Sequence, residues 1–252
     1  MITKSELKYY NLLLQKKFRN LENKFLAEGK KVVLEGLKSS YQAEIIFITQ
    51  NFVRKEEKFI RLLNTFDTRI VKLKSTDFKK ISETRTPEGV AAVFEIKRSE
   101  LNFSSLQDSI LIYIEDISDP GNLGTIIRNC DWFGVENIFL SKESAEIFNP
   151  KVIRASMGSI FHINVFEDVH IKDIGYLKES GYKFICADIE GENIFKVKKK
   201  DKIILFLSNE SKGPSNELLS LIDGKVTIPG KGKAESLNVA SASAVLLAEL
   251  TK

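Results

Sequence analysis

The 252-residue chain is 43% hydrophobic, a globular composition, and has no uninterrupted apolar run of about 18 residues, which excludes a membrane-spanning segment of that kind. Cys130 and Cys186 stand alone, with no CxxC and with neither His162 nor His170 at metal-ligand spacing, so two buried thiols in a reducing cytoplasm are expected and a disulfide scaffold or metal centre is not. Through residue 107, 21 Lys+Arg against 13 Asp+Glu give a net +8, while the remaining 17 against 21 give −4.

That asymmetry suggests a basic module that meets an anion and a second module with another task, although solvated lysine faces alone produce the same count. The length agrees with two domains. The opening stretch MITKSELKYYNLLLQKKFRN is charged and helical in pattern, without the apolar core and small-residue cleavage site of a signal peptide. From Lys4 to Asn23, Leu7, Tyr10, Leu13, Leu14 and Phe18 fall at helical spacing. AEIIFIT (43–49) reads as a buried strand, FVRKEEKFIRLLN (52–64) as an amphipathic helix, STDFKKIS (75–82) as a short helix opened by a Ser/Thr/Asp cap, and GVAAVFEI (89–96) as a strand. Residues 1–97 therefore form a small α/β domain, and the polar, aperiodic stretch 98–108 is the linker.

SILIYIED (109–116) begins the second part as a continuous apolar run suited to a strand covered on both faces. Further strands are expected at NIFLS (137–141), FHINVF (161–166), YKFICAD (182–188), KIILFLS (202–208) and GKVTI (224–228), with helices between them. This pitch predicts a mostly parallel sheet over 109–252, with ligands at the carboxyl ends of its strands. The basic run KVKKKDK (196–202) reads as a solvated hairpin or loop.

Three strand ends carry unusual residues. In DPGNLGTIIR (119–128), Gly121 and Gly124 would let the backbone turn tightly into a helix, but the spacing is neither GxGxxG nor GxxxxGK[ST]. Arg128 lies one helical turn on, and a surface salt bridge is its plainer reading. In LFLSNESKGPS (205–215) a buried strand runs into a polar loop, with Pro214 placed to begin the next helix and Glu210 as either a capping acid or a site residue. In IPGKGKAESLNVASASAVLLAEL (228–250), Ser236 or Asn238 can cap a nearly uncharged helix whose N-terminus at Val239 favours a carboxylate.

In order and spacing, NLGTIIR, SNESKG and IPGKGKAESLNVA resemble the three signature motifs of the SpoU (TrmH-type) RNA 2′-O-ribose methyltransferases of the SPOUT superfamily. KYYNLLLQKKFRNLENKFLAEGKKVVLEGL and TRTPEGVAAVF are similar to the ribosomal-protein-like substrate-binding domain of the longer members, so the resemblance covers nearly the whole chain. It implies a trefoil-knotted α/β domain, a homodimer with active sites at its interface, and S-adenosylmethionine as methyl donor, held bent largely by backbone groups. Donor contacts then fall at Ser208, Ile228 and Leu237, with Asn209, Gly213 and Gly232 shaping the pocket, while Asn122, Arg128, Glu210, Ser236 and Asn238 match the polar active-site set. The resemblance also implies a base role for Arg128; a guanidinium with a pKa above about 12 suits a grip on phosphate and ribose better.

Ser208 and Ser211 stand where glycine is common in the family, and Gly230 where an apolar residue is, which bears on the donor pocket if either serine needs a positive φ. Ribosomal RNA of the large subunit is the expected substrate, with transfer RNA as the alternative. A non-catalytic ribosome-assembly factor and a small-molecule methyltransferase are the readings from other classes. The basic first part fits RNA, with Tyr9, Tyr10, Phe18 and Phe25 as stacking candidates or, more plainly, core. The protein is expected in the cytoplasm, without membrane or metal partners.

Overall fold

A computed structural model describes residues 2–197 and 202–252. By contacts the chain divides into two compact units, Met1–Lys97 with Phe148–Phe161, and Arg98–Ile147 with His162–Lys252.

The first unit is built on a four-stranded sheet, β1 (Lys24–Glu28), β2 (Ala43–Thr49), β3 (Arg69–Leu73) and β4 (Val90–Glu95), in the order β1-β4-β2-β3. β4 runs antiparallel to both β1 and β2, and β2 pairs β3 in parallel. Alternation along the strands sends Ile45, Phe47 and Val93 into one core with Leu7, Tyr10 and Phe78. On another side Phe25 meets Phe148 with ring centroids 4.6 Å apart, and Phe94 meets Phe161 at 5.2 Å. These ring contacts are why 148–161, the segment of α8 (Pro150–Ser156), groups with the first unit.

Several expectations change in detail. The opening helix is two, α1 (Lys4–Leu12), started by a Thr3–Glu6 capping box, and α2 (Lys16–Glu22), separated by short-range turns at residues 13–15. After α3 (Lys30–Lys38), the 52–64 helix is also two, α4 (Gln50–Lys55) and α5 (Glu57–Leu63), because Glu56 leaves helical geometry at φ −124° and ψ 44°. The Ser/Thr/Asp cap does not form on α6 (Ser75–Phe78): Lys74 holds the extended cap position, and Ser75 is already inside the helix.

The second unit holds six strands: β5 (Ile110–Glu115), β6 (Asn137–Leu140), β7 (Asn164–Phe166), β8 (Lys183–Asn193), β9 (Ile203–Ser208) and β10 (Gly224–Thr227). Their order is β10-β8-β9-β5-β6-β7 and every pairing is parallel. The uninterrupted burial of β5 and β9 follows from their central place in this sheet. β8 outruns its expected end, and its partners in β10 jump from Cys186 to Glu192, so residues 187–191 bulge at the carboxyl edge. The linker is not free of the unit, since Leu101, Phe103 and Leu106 pack on the core around Phe139 and Phe206.

Helix α7 (Pro120–Trp132) starts earlier than expected, with Asp119 as cap and Pro120 at its first position, so Gly121 and Gly124 lie within the helix rather than in a turn. After α9 (Ile171–Ile174), capped by His170, comes α10 (Asn216–Leu221). Its cap is Ser215, so Pro214 precedes the helix instead of opening it. α11 (Val239–Leu250) closes the chain and packs on α7. Most of the basic run 196–202 lies outside the described residues. Among the described residues no helix is long and apolar enough to cross a membrane, and no His/Cys/Asp/Glu group is arranged to hold a metal.

Candidate active site

Because all six strands of the second unit are parallel, their carboxyl ends share one edge, and the three unusual stretches emerge there. β5 ends in Glu115, Asp116 follows it, and these two residues fasten the β9–α10 loop at both ends. Asn209 Nδ2 donates to the Asp116 carbonyl at 3.1 Å, and Lys212 Nζ lies 3.4 Å from Asp116 Oδ2. At the far end Ser215 donates its N–H to Glu115 Oε2 at 3.0 Å and its hydroxyl to Glu115 Oε1 at 2.6 Å. Between them Asn209 Oδ1 accepts the N–H groups of Ser211 and Lys212, and Gly213 takes a left-handed φ of +67° while donating to the Asn209 carbonyl.

Within this frame Glu210 meets the starts of both long helices. Its Oε1 accepts from Asn122 Nδ2 of α7 at 3.3 Å, from Asn238 Nδ2 at 3.4 Å and from the Val239 N–H at 3.0 Å. Asn238 also donates to Asn122 Oδ1 at 3.0 Å, while its own Oδ1 caps α11 by accepting from Ala240 and Ser241. The carboxylate favoured at Val239 is thus supplied by the chain itself. Three of the five expected active-site residues, Asn122, Glu210 and Asn238, form one hydrogen-bonded cluster drawn from three distant stretches.

Arg128 and Ser236 do not join it. Arg128 is exposed on α7 and has no ion pair or hydrogen bond among the described residues, so the salt bridge of the plainer reading is absent there. Six residues beyond Asn122, it points about 120° away from that residue's direction on an ideal helix. Ser236 is exposed in the 228–238 loop, and the cap it competed for belongs to Asn238. Of the expected donor residues, Ser208, Asn209 and Gly213 lie half-buried at the end of β9, Ile228 half-buried just after β10, and Gly232 and Leu237 exposed in the following loop.

The departures from the family pattern are sterically harmless. Neither Ser208 nor Ser211 has a positive φ, so their side chains impose no backbone strain. A Cβ at Gly230 or Gly232 would meet nothing within 4 Å, so no close neighbour requires glycine at either position, and the loop is exposed over 229–238. An exposed loop with two glycines leaves its main-chain groups accessible to a donor held mainly by the main chain.

Sequence reading missed Glu115, Asp116 and Asn129. The first two had a signal, an acidic pair closing an apolar strand. Asn129 had a weaker one: seven residues after Asn122 it returns to the same face of α7, where Nδ2 donates to the Ala240 carbonyl at 2.8 Å and to Ser243 Oγ at 2.9 Å. Both thiols are buried; burial raises the pKa of Cys130 far above that of a free thiol and pushes Cys186 up to about 12.

Residues 109–248 match the SpoU rRNA Methylase family, and residues 4–92 match the MRM3-like substrate binding domain. The chain is 32% identical over 248 residues, 97% of its length and 95% of the relative's, to the 23S rRNA (guanosine(2553)-2'-O)-methyltransferase RlmP of Bacillus subtilis. It is 28% identical over 209 residues, 79% of its length and 73% of the relative's, to the 23S rRNA (uridine(2479)-2'-O)-methyltransferase of Streptomyces viridochromogenes. A TrmH-family structure from Porphyromonas gingivalis overlays with a TM-score of 0.84 at 31% identity, covering 99% of this chain and 98% of that one. The AdoMet-bound rRNA methyltransferase of Sinorhizobium meliloti overlays at 0.83 and 25% identity, covering 99% and 95%. With its signature stretches gathered at one sheet edge and more than half its length matched, the chain belongs to the SpoU rRNA methylase family.

Proposed function

We infer that the protein transfers a methyl group from S-adenosylmethionine to a ribose 2′-hydroxyl of large-subunit ribosomal RNA. Family membership and the full-length likeness to a 23S rRNA 2'-O-methyltransferase support the activity and the substrate class. The observation that ties them to this chain's residues is the convergence of Asn122, Asn238 and the Val239 N–H on Glu210 Oε1.

Bound donor supplies an electrophilic methyl group on a sulfonium. Ser208, Asn209 and Gly213 on one side and Ile228, Gly232 and Leu237 on the other are assigned to hold it, with Glu115 and Asp116 keeping the first loop in place. The acceptor hydroxyl must be aligned with the methyl carbon and relieved of its proton. Orientation is worth more than proton removal in such a transfer, at about 7–11 kcal/mol against about 10²–10⁴-fold. We assign orientation to Asn122, Ser236 and Asn238, whose amides and hydroxyl suit ribose oxygens. Arg128, uncommitted to any partner within the described residues, is assigned to the RNA phosphate, which a guanidinium grips with two parallel hydrogen bonds.

The knotted threading of the chain end is proposed with this reading, on the strength of the TrmH-family overlay. So is a homodimer: Trp132 at the end of α7 is 82% exposed, a large aromatic surface that a lone chain leaves wet. Sedimentation equilibrium should return twice the 28.5 kDa chain mass, and Trp132→Glu should return the chain mass. The cytoplasm is the proposed compartment, as the likeness to a bacterial 23S rRNA methyltransferase suggests.

The test is transfer of labelled methyl from S-adenosylmethionine to unmodified 23S rRNA, followed by nucleoside analysis. A labelled 2′-O-methylnucleoside is expected. Labelled base, or label confined to transfer RNA, would overturn the assignment.

A further inference from the structure

A cleft of about 300 Å³ opens in the first unit where β2 ends, walled by the start of α3, by α4, by α6 and its following turn, and by residues 87–89. Its acids are already engaged. Glu56 Oε2 lies 2.5 Å from Lys30 Nζ, and Glu88 Oε2 accepts the Lys30 N–H at 2.6 Å. Lys55 and Lys79, also lining the cleft, are exposed and have no ion pair among the described residues. The cleft therefore shows two lysines without an ion-pair partner, and a net charge of +1 over its three lysines and two glutamates, beside the hydroxyl of Ser75 and the amide of Asn51. Its aromatic members are floor, not grip: Phe52 is 4% exposed and Phe78 1%, leaving no ring face for a base to stack on.

The floor is also fixed. Thr49 donates its N–H to the Gly89 carbonyl at 2.8 Å and accepts the Phe52 N–H on Oγ1 at 3.2 Å. Gly89 has φ +94°, and a Cβ there would fall 2.3 Å from Thr49 Oγ1, so only glycine lets 87–89 close on β2. A small, rigid, polar cleft with spare cations suits one phosphodiester and the sugar or base edge attached to it. It is too narrow for a duplex and offers no apolar anchor to a protein segment.

We propose that this cleft captures a single-stranded segment of the RNA substrate through its backbone, with Lys55 and Lys79 on the phosphates and Asn51 and Ser75 on sugar or base edges. This rests on the reading of the protein as an RNA methyltransferase. The net +8 of the chain through residue 107 supports a polyanion as the occupant rather than a lone nucleotide.

The experiment uses the full chain and the Lys55→Gln/Lys79→Gln double variant. The control is Lys58→Gln/Arg61→Gln, which removes the same charge from exposed positions on α5 outside the cleft. Binding to unmodified 23S rRNA is measured from 50 to 200 mM salt, donor binding by calorimetry, and methylation at saturating and limiting RNA. Each phosphate contact to a single strand contributes about 0.7 to the log–log salt slope, so the cleft variant should lose about 1.4. Its RNA affinity should fall about tenfold, with KM raised, kcat at saturating RNA retained, donor affinity unchanged and the control losing less than half as much. Equal losses in control and cleft variants, or unchanged RNA binding in the cleft variant, would overturn the proposal. A wild-type chain that binds RNA but methylates none would sink the enzymatic reading alone, because the binding comparison still decides the cleft.

Discussion

Replacing Glu115 by alanine should weaken methyl-donor binding without unfolding the protein. Glu115 is the last residue of β5, 8% exposed, and it takes both the N–H and the hydroxyl of Ser215, which in turn caps α10 through the Leu218 N–H at 3.1 Å. Hydrogen bonds to a charged group contribute about 1.5–3 kcal/mol each, so the pair has an upper bound of about 3–6 kcal/mol. Ser215 is exposed, and water will replace part of what is lost, which brings the cost to about 1.5–3 kcal/mol. That cost falls on the closed form of the 209–215 loop, because Asp116 still holds the other end through Asn209 and Lys212. If this loop holds the donor, Kd should rise about ten- to hundredfold. Calorimetric titration with S-adenosylmethionine is the assay, since two compact units make a single unfolding midpoint a poor measure. Glu115→Gln, which keeps one acceptor, should sit between wild type and alanine. Binding within twofold of wild type for both Glu115→Ala and Ser215→Ala would refute the clamp.

Arg128→Lys keeps the charge but loses the two-pronged geometry, so kcat/KM for RNA should fall at least tenfold while donor affinity holds; near-wild-type methylation would dismiss the bidentate role. The two thiols make a prediction in the opposite direction. Burial disfavours both thiolates, pushing Cys186 up to about 12 and Cys130 further, so iodoacetamide at pH 8 should leave both unmodified in the folded protein and label both in denaturant. Native-state labelling of either would show that its core opens.

The parallel sheet was readable because β5 and β9 are continuous apolar runs, as strands with neighbours on both sides must be. The small strands were harder. In β3, RIVKL, buried and exposed positions alternate over only five residues, and in β1 a lysine and a glutamate bracket three buried residues, so neither stands out from a helical pattern. Helix breaks at Glu56 and at residues 13–15 carry no proline or glycine that would mark them in the sequence. The assignment of 148–161 to the first unit depends on rings far apart in sequence, Phe25 with Phe148 and Phe94 with Phe161, and no local rule reports that. Motifs found Asn122, Glu210 and Asn238 because their types and order are distinctive. They did not show that these three share one oxygen atom, nor that Glu115 and Asp116 brace the loop from below.

That shared oxygen gives Glu210 a positioning role, which can be tested against the role of a base. A general base needs a lone pair aimed at the substrate proton; Oε1 is spent on three donors, one of them the first amide of α11, so proton removal would fall to Oε2 of a carboxylate already held in place by its other oxygen. Such a carboxylate completes a helix start, where negative charge is worth about 0.3–1 kcal/mol, and locks Asn122 against Asn238. Glu210→Gln keeps an oxygen for the Val239 N–H but gives up the charge, and charge-assisted hydrogen bonds are about twice as strong as neutral ones. A positioning role therefore predicts a loss within about tenfold in kcat, with the pH–rate profile unmoved. Proton removal by Glu210 predicts a loss of about 10²–10⁴-fold and disappearance of the acidic limb of that profile. Measuring kcat against pH for this one variant separates the two, and a hundredfold drop with an altered profile would overturn the positioning role argued from the geometry.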